Sequence, residues 1–170
     1  MADFMTRLRR GLRHATTGAG AGRRHFPAET LAAIAAAIGA GERRHRAEVR
    51  LIVEPALPFG AAFGGVQNRD RARALFAEYG VWDTEENCGV LIYVNLADHA
   101  VDIVADRHVG RLVADAEWQA VCRTMTQAYQ QGDFHAGTIA ALDQLADLLA
   151  RHFPDDGTRR NQLSDEAVIL

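Results

Sequence analysis

The sequence predicts an α/β protein, an αβα sandwich built on a small mixed β-sheet, and three observations carry that reading. "EVRLIVEP" (48–55) alternates like a strand and stops at a proline. "NCGVLIYVNLADHAVDIVAD" (87–106) holds two apolar runs separated by a polar turn, the pattern of a β-hairpin. Around them, apolar residues recur at helical spacing over 28–38, 68–79, 115–131 and 136–152. The order α-β-α-β-β-α-α needs helices packed on a sheet.

The elements follow in chain order. Residues 1–26 read as a basic, flexible leader: Arg7, Arg9, Arg10, Arg13, Arg23 and Arg24 stand against one acid, Asp3. Phe4, Met5, Leu8 and Leu12 share one face of a short helix, which TTGAGAG (16–22) breaks. The alternative for this segment is a weak membrane-surface or partner-binding helix. Pro27 opens the domain, taken as 27–153. Leu31, Ile34 and Ile38 form a helical stripe that Gly39 and Gly41 are expected to end. Val49, Leu51 and Val53 face one side of the first strand, and Arg50, Ile52 and Glu54 the other. A Gly/Ala/Pro loop (55–65) contains FGAAFGG, which lacks the Lys-Ser/Thr of a phosphate loop. In the next helix Ala72, Leu75, Phe76 and Tyr79 point inward, RDRAR (69–73) points outward, Asn68 is the expected N-cap and Gly80 the stop.

The hairpin is read with Asp98 and His99 as a two-residue turn. Leu96 then pairs with Val101, Val94 with Ile103 and Ile92 with Ala105, making one face wholly apolar. Trp118, Val121, Cys122, Met125 and Tyr129 line the next helix, with Asp115 as its N-cap; Ile139, Leu142, Leu145, Leu149 and Phe153 line the last. Residues 154–170 make a polar tail whose final AVIL is able to dock back on the body.

Bulk properties exclude several classes. The chain of 170 residues, 48% hydrophobic and 24% charged, suits one globular domain, and a net charge of −3 points to no nucleic-acid partner. Cys88 and Cys122 are far apart in apolar surroundings, so neither a disulfide framework nor a cysteine metal site is expected. The chain has no run of 18 apolar residues and no secretory signal pattern, which points to the cytoplasm or to peripheral contact at the inner face of a membrane. Motifs for serine hydrolases, Walker-type nucleotide binding and zinc proteases are lacking.

A right-handed crossover through the 68–79 helix makes the first two strands parallel. Their starts and the end of the third strand then share one edge of the sheet. That edge gathers Glu42, His45, Asp83, Glu85, Glu86, Asn87, Asp106, His108 and Asp115. Hard cations want several oxygen ligands, so Asp83, Glu85, Asn87, Asp106 and Asp115 are the candidate ligands for Ca²⁺ or Mg²⁺, with Glu42, His45, Glu86 and His108 around them. The plain alternative is a turn, solvated carboxylates and a helix cap. His45 and Glu48 are read as a structural pair before an acid–base pair.

The ordered set of motifs resembles the TPM domain family, which has thylakoid-lumen acid phosphatase-like and photosystem II repair-like members; the match is to a short bacterial branch without signal peptide or membrane anchor. "NCGVLIYVNLADHAVDIVAD" is similar to the family core N-N-G-V-L-L-x-V-x-x-x-D-R-x-V-x-I-x-x-G. "QGDFHAGTIAALDQLADLL" resembles its closing segment, and "RRHRAEVRLIVEPALP" its first-strand region. The resemblance spans roughly residues 27–153. It implies an αβα sandwich, divalent-metal binding and, in plant members, acid phosphatase activity. Asn87 matches the first Asn of N-N-G and Asp115 the Asp of the family's L-T-D-A; Cys88 replaces the second Asn. The functional expectation is a non-enzymatic module binding a divalent cation or a protein partner at the acidic edge. The alternatives are a metal-assisted acid phosphatase and a peripheral membrane or scaffold protein acting through the basic leader.

Overall fold

The computed structural model describes residues 2–157 and 160–170, so Met1 of the leader and Thr158 and Arg159 of the tail lie outside the described residues. The elements are α1 (Ala2–Thr16), α2 (Gly20–His25), α3 (Ala28–Glu42), β1 (Glu48–Glu54), α4 (Phe59–Phe63), α5 (Asn68–Glu78), β2 (Gly89–Asn95), β3 (Ala100–Ala105), α6 (Arg107–Leu112), α7 (Asp115–Gln130), α8 (Phe134–His152) and β4 (Val168–Ile169). The sheet order is β3-β2-β1-β4. β1 and β2 run parallel from Glu48↔Gly89 to Glu54↔Asn95, and β3 returns antiparallel. β4 joins β1 in parallel, so the terminal apolar residues do dock back.

Strand parity assigns the two cores. Val49, Leu51, Val53, Val90, Ile92 and Val94 pack under α3, α7 and α8, with Ile34, Trp118, Met125, Leu145 and Leu149 among the partners. Ile52, Leu91, Tyr93 and Val104 face Ala72 and Leu75 of α5 on the other side. This is the αβα sandwich expected from the sequence, with the short helices α4 and α6 added between its elements.

Several details depart from the sequence reading. The hairpin register is Val90↔Ala105, Ile92↔Ile103 and Val94↔Val101, two residues from the expected pairing. Residues 96–99 form a four-residue turn instead of two, because the amides of Leu96 and Ala97 donate across to the carbonyls of Glu54 and Pro55 and are lost to the hairpin ladder. His99 takes the left-handed position at φ 52°. A shift of two preserves side-chain parity, so the two faces keep their composition. α3 runs through Gly39 and Gly41 to Glu42. Those glycines permit close approach: a Cβ on Gly41 would sit 2.9 Å from the Ala146 Cβ of α8. Residues 55–65, expected as a flexible loop, include α4. Asn68 opens α5 but makes no capping bond there. Asp115 is likewise the first residue of α7 and not its cap; Ala114 holds that position, and its N–H is taken by the Glu117 carboxylate at 3.2 Å. The outward "RDRAR" face also needs correction. Arg71 pairs with buried Glu54, and Arg69 donates to the Ile103 carbonyl.

Residues 2–25, read as a flexible leader, form two helices set on the body. Arg10 and His14 of α1 reach Asp98 at the hairpin tip. Gly22 of α2 lies so close to Ile169 that a Cβ would come within 2.6 Å of its Cγ2.

Gly89 offers a direct test of the packing. A Cβ there would sit 1.8 Å from the Val81 carbonyl oxygen, a backbone atom that cannot swing away. Gly89→Ala is expected to lower stability by about 3 kcal/mol in urea unfolding. Gly20→Ala, with only the Arg24 side chain 4.0 Å away, should stay within about 0.5 kcal/mol of the parent.

Candidate functional site

The turn entering β2 is shaped locally. Asp83 N–H donates to the Gly80 carbonyl, Asn87 N–H to the Thr84 carbonyl, and Thr84 Oγ1 accepts from Cys88 N–H at 2.9 Å. Gly80 and Asn87 both take positive φ, 63° and 54°, a conformation glycine and asparagine tolerate best. The end of β3 then locks onto this turn. Asp106 N–H donates to the Gly89 carbonyl, His108 N–H to the Asn87 carbonyl, and His108 Nδ1 meets the Glu86 carbonyl at 3.1 Å. The 83–87 turn and the 106–108 connection therefore share one rim, as the parallel crossover requires.

The nine residues assigned to this rim divide into three groups. Glu42 is buried and holds a main-chain donor, Oε1 taking Val49 N–H, as does neighbouring Glu48, outside the nine, whose Oε2 takes those of Gln162 and Leu163. His45 is buried with Nδ1 against the Ala47 carbonyl. Asp83, Glu85 and Asp115 are exposed, and α6 stands in the chain between Asp106 and Asp115. The segments carrying Glu86, Asn87, Asp106 and His108 are the ones tied together, through the backbone carbonyls of Glu86, Asn87 and Gly89. Among the described residues no three His, Cys, Asp or Glu side chains converge closely enough to hold a metal ion.

Three atoms at this rim stand out. Glu86 Oε2, Asp106 Oδ2 and Arg46 Nε are shielded from solvent and have no hydrogen-bond partner among the described residues. The sister oxygens of the two carboxylates are engaged: Glu86 Oε1 with Arg46 at 3.2 Å, and Asp106 Oδ1 with Arg107 N–H at 2.6 Å, capping α6. A carbonyl only accepts, so His108 carries a proton on Nδ1, and in the neutral ring Nε2 is the lone-pair atom. Glu86, Asn87 and His108 line a cleft of about 460 Å³ together with Arg107, Arg111 and Leu112.

The opposite rim holds a larger polar network that the sequence reading missed. Asp98 accepts from Arg10, from Arg13 at 2.6 Å, from His14 Nε2 at 2.9 Å and from Asn68 Nδ2 at 3.1 Å. Leu57 N–H donates to His14 Nδ1, so the ring proton sits on Nε2, facing Asp98. Asn95 bridges Asn68 Oδ1 and the Tyr93 hydroxyl, which donates to Glu54 at 2.6 Å, and Glu54 also takes Arg71. Burial, and then the Glu54 carboxylate, push the Tyr93 phenol far above its ordinary value. The only advance signal was an aspartate at a turn and an arginine-rich segment 84 to 88 positions away, and sequence alone does not pair them.

A family model for the TPM domain matches residues 24–148. The chain belongs to the TPM domain family. Its fold is similar to the solution NMR structure of BA42 from the psychrophilic bacterium Bizionia argentinensis, with TM-score 0.74 and 25% identity over 84% of this chain and 94% of that one. No curated protein matches the chain. The matched TPM region begins after α1, so the Arg10–Arg13–His14 clamp on Asp98 attaches a preceding helix to the TPM body. Among the described residues, no helix is long and apolar enough to cross a membrane.

Burial alone would raise the Asp98 carboxyl, but hydrogen bonds from Arg10, His14 and Arg13 outweigh it and hold the group well below the usual carboxylate range. A depressed folded value stabilises the protein in full above the unfolded carboxyl pKa of about 3.9, and the contribution fades as pH falls below it. Asp98→Asn should therefore cost about 3 kcal/mol at neutral pH. The gap between variant and parent in urea unfolding should narrow as the pH is taken below about 4.

Proposed function

We propose that this TPM domain is a binding module that takes a hydrated divalent cation, Ca²⁺ or Mg²⁺, at the rim formed by Glu86, Asn87 and Asp106. The observation that supports this is the pair of solvent-shielded carboxylate oxygens without partners, Glu86 Oε2 and Asp106 Oδ2, on segments tied together by backbone hydrogen bonds. A buried anionic oxygen without a donor is costly, and a cation removes that cost. Two carboxylates and one amide fall short of the six to eight oxygens of a caged Ca²⁺. Water completes the shell, which fits a weak site with Kd of about 10⁻⁴ to 10⁻³ M. Asp83 and Glu85 lie exposed on the same turn and contribute field rather than bonds. Amide NMR titration with Mg²⁺ and Ca²⁺ should move residues 86–87 and 106–108, and Asp106→Asn should abolish the movement while still capping α6. Unmoved resonances at millimolar metal would sink the cation reading and leave a protein partner at the same rim.

A second reading is favoured by Arg107 and Arg111, which line the same cleft as His108. Two guanidinium groups in one cleft with the Glu86 carboxylate suit a phosphomonoester bridged to a cation, the arrangement of a metal-assisted phosphatase. In this reading the bound cation supplies Lewis acidity, Arg107 and Arg111 hold the phosphate, and His108 Nε2 handles a proton. Hydrolysis of p-nitrophenyl phosphate should then fall at least about a hundredfold in both Asp106→Asn and His108→Gln. Turnover unchanged in either variant would identify a contaminating enzyme.

A further inference from the structure

Helix α1 is docked by its polar side. Gly11 and His14 are buried, Arg10 is partly buried, and Arg10 and His14 bind Asp98. At 100° per residue, Phe4, Leu8, Leu12 and Met5 fall within an arc of about 100° beside that docked face. Phe4 and Leu12 are 55% and 51% exposed, so the helix carries its apolar stripe outward. α4 widens the stripe into a ridge: Phe59, 44% exposed, stacks on Phe63, and Phe63 takes the edge of Phe4 at 5.8 Å. Met5 extends it, so that four of the eight large exposed apolar side chains among the described residues belong to this one ridge.

Cations border the ridge on both sides. Arg9 and Arg13 follow Leu12 and Met5 around the helix, and Arg7 lies beyond Phe4. Arg9 has no carboxylate partner among the described residues, and Arg7 and Arg13 are about half exposed despite their ion pairs. An apolar ridge flanked by Arg9 and Arg13 on one side and Arg7 on the other matches the interface of a bilayer with anionic headgroups.

We propose that the α1–α4 ridge docks this protein, lying flat, on an anionic lipid surface. Charge disfavours a second copy as the occupant, since an isologous contact would set Arg7, Arg9 and Arg13 against the same residues. An acidic protein that swallows a helix in a groove needs access around it, whereas α1 is clamped along one side to Asp98. A plane needs only the free side. This inference does not rest on the cation reading, and its test omits divalent ions.

The full chain is sedimented with vesicles of phosphatidylcholine alone and of phosphatidylcholine mixed with phosphatidylglycerol. Binding is expected only with the mixed vesicles and is expected to weaken as salt rises. Phe4→Ser with Leu12→Ser, at exposed positions that leave the Asp98 clamp intact, should reduce it at least about tenfold. Arg9→Glu is the second variant, should the double substitution disturb folding, and should also reduce binding severalfold. Equal binding to both vesicle types, no binding to either, or binding unchanged in the variants would overturn the proposal. So would a lipid-free dimer in sedimentation velocity that the Phe4→Ser, Leu12→Ser variant dissolves, because the ridge would then be a self-association surface.

Discussion

The parallel pairing of β1 with β2 is the constraint on which the rest depends. Seven residue pairs lie in register, and every residue of β2 is buried. A strand buried on both faces needs a helical layer above and below, and its backbone groups need neighbours on both edges. β3 and β1 supply the edges, α5 one layer, and α3, α7 and α8 the other. A parallel pair also fixes which ends meet. The starts of β1 and β2 lie beside the end of β3 on one rim, and their ends lie beside its start on the other. Both polar regions of the molecule are consequences of that arrangement.

The two rims treat charge differently. Around Asp98 and Glu54 the described donors and acceptors interlock: Tyr93 donates to Glu54 while accepting from Asn95, and Asn68 accepts from Asn95 while donating to Asp98. A satisfied buried network is rigid and specifies one arrangement, here the seating of α1 and α5 on the sheet. At the other rim Glu42 and Glu48 are similarly absorbed into structure, but Glu86 and Asp106 each keep one shielded oxygen unmatched. Incomplete satisfaction is where a ligand gains most, because binding removes an existing cost along with adding a contact. Burial alone does not distinguish the unmatched carboxylates from those absorbed into structure; their partners do.

What was legible in the sequence follows from how local each signal is. Alternation identified the strands and their faces, and the crossover rule then brought 83–87 and 106–108 to one rim without any contact being known. The register error shows the limit: facing composition is unchanged by a shift of two, so Leu96, Val94 and Ile92 stay on the same side either way, and only the Glu54 and Pro55 carbonyls decide the turn length. Gly39 and Gly41 were misread as helix stops because close approach of a distant segment also requires glycine: Gly41 packs on Ala146 of α8 and Gly39 on the Asp165 carboxylate, both over a hundred residues away. Which carboxylates would be neutralised by distant main-chain donors, as Glu48 is by Gln162 and Leu163, leaves no mark in spacing or periodicity.

Helix α1 inverts the usual inference from amphipathicity. An apolar stripe ordinarily marks the side that meets the core, and here the polar side does so, because Asp98 offers a buried anion to Arg10 and His14 and Gly11 lets the helix approach the Phe59 ring. A fifteen-residue helix alone in water is marginal, so its order comes from this clamp. The consequence for binding is physical. An unstructured basic segment must fold as it meets a surface and loses conformational entropy in doing so, whereas a helix already formed and oriented presents Phe4, Leu12 and Phe59 together at little further cost. Only the outward stripe is then left to meet a surface, and the clamp that forms the helix is the same contact that aims it.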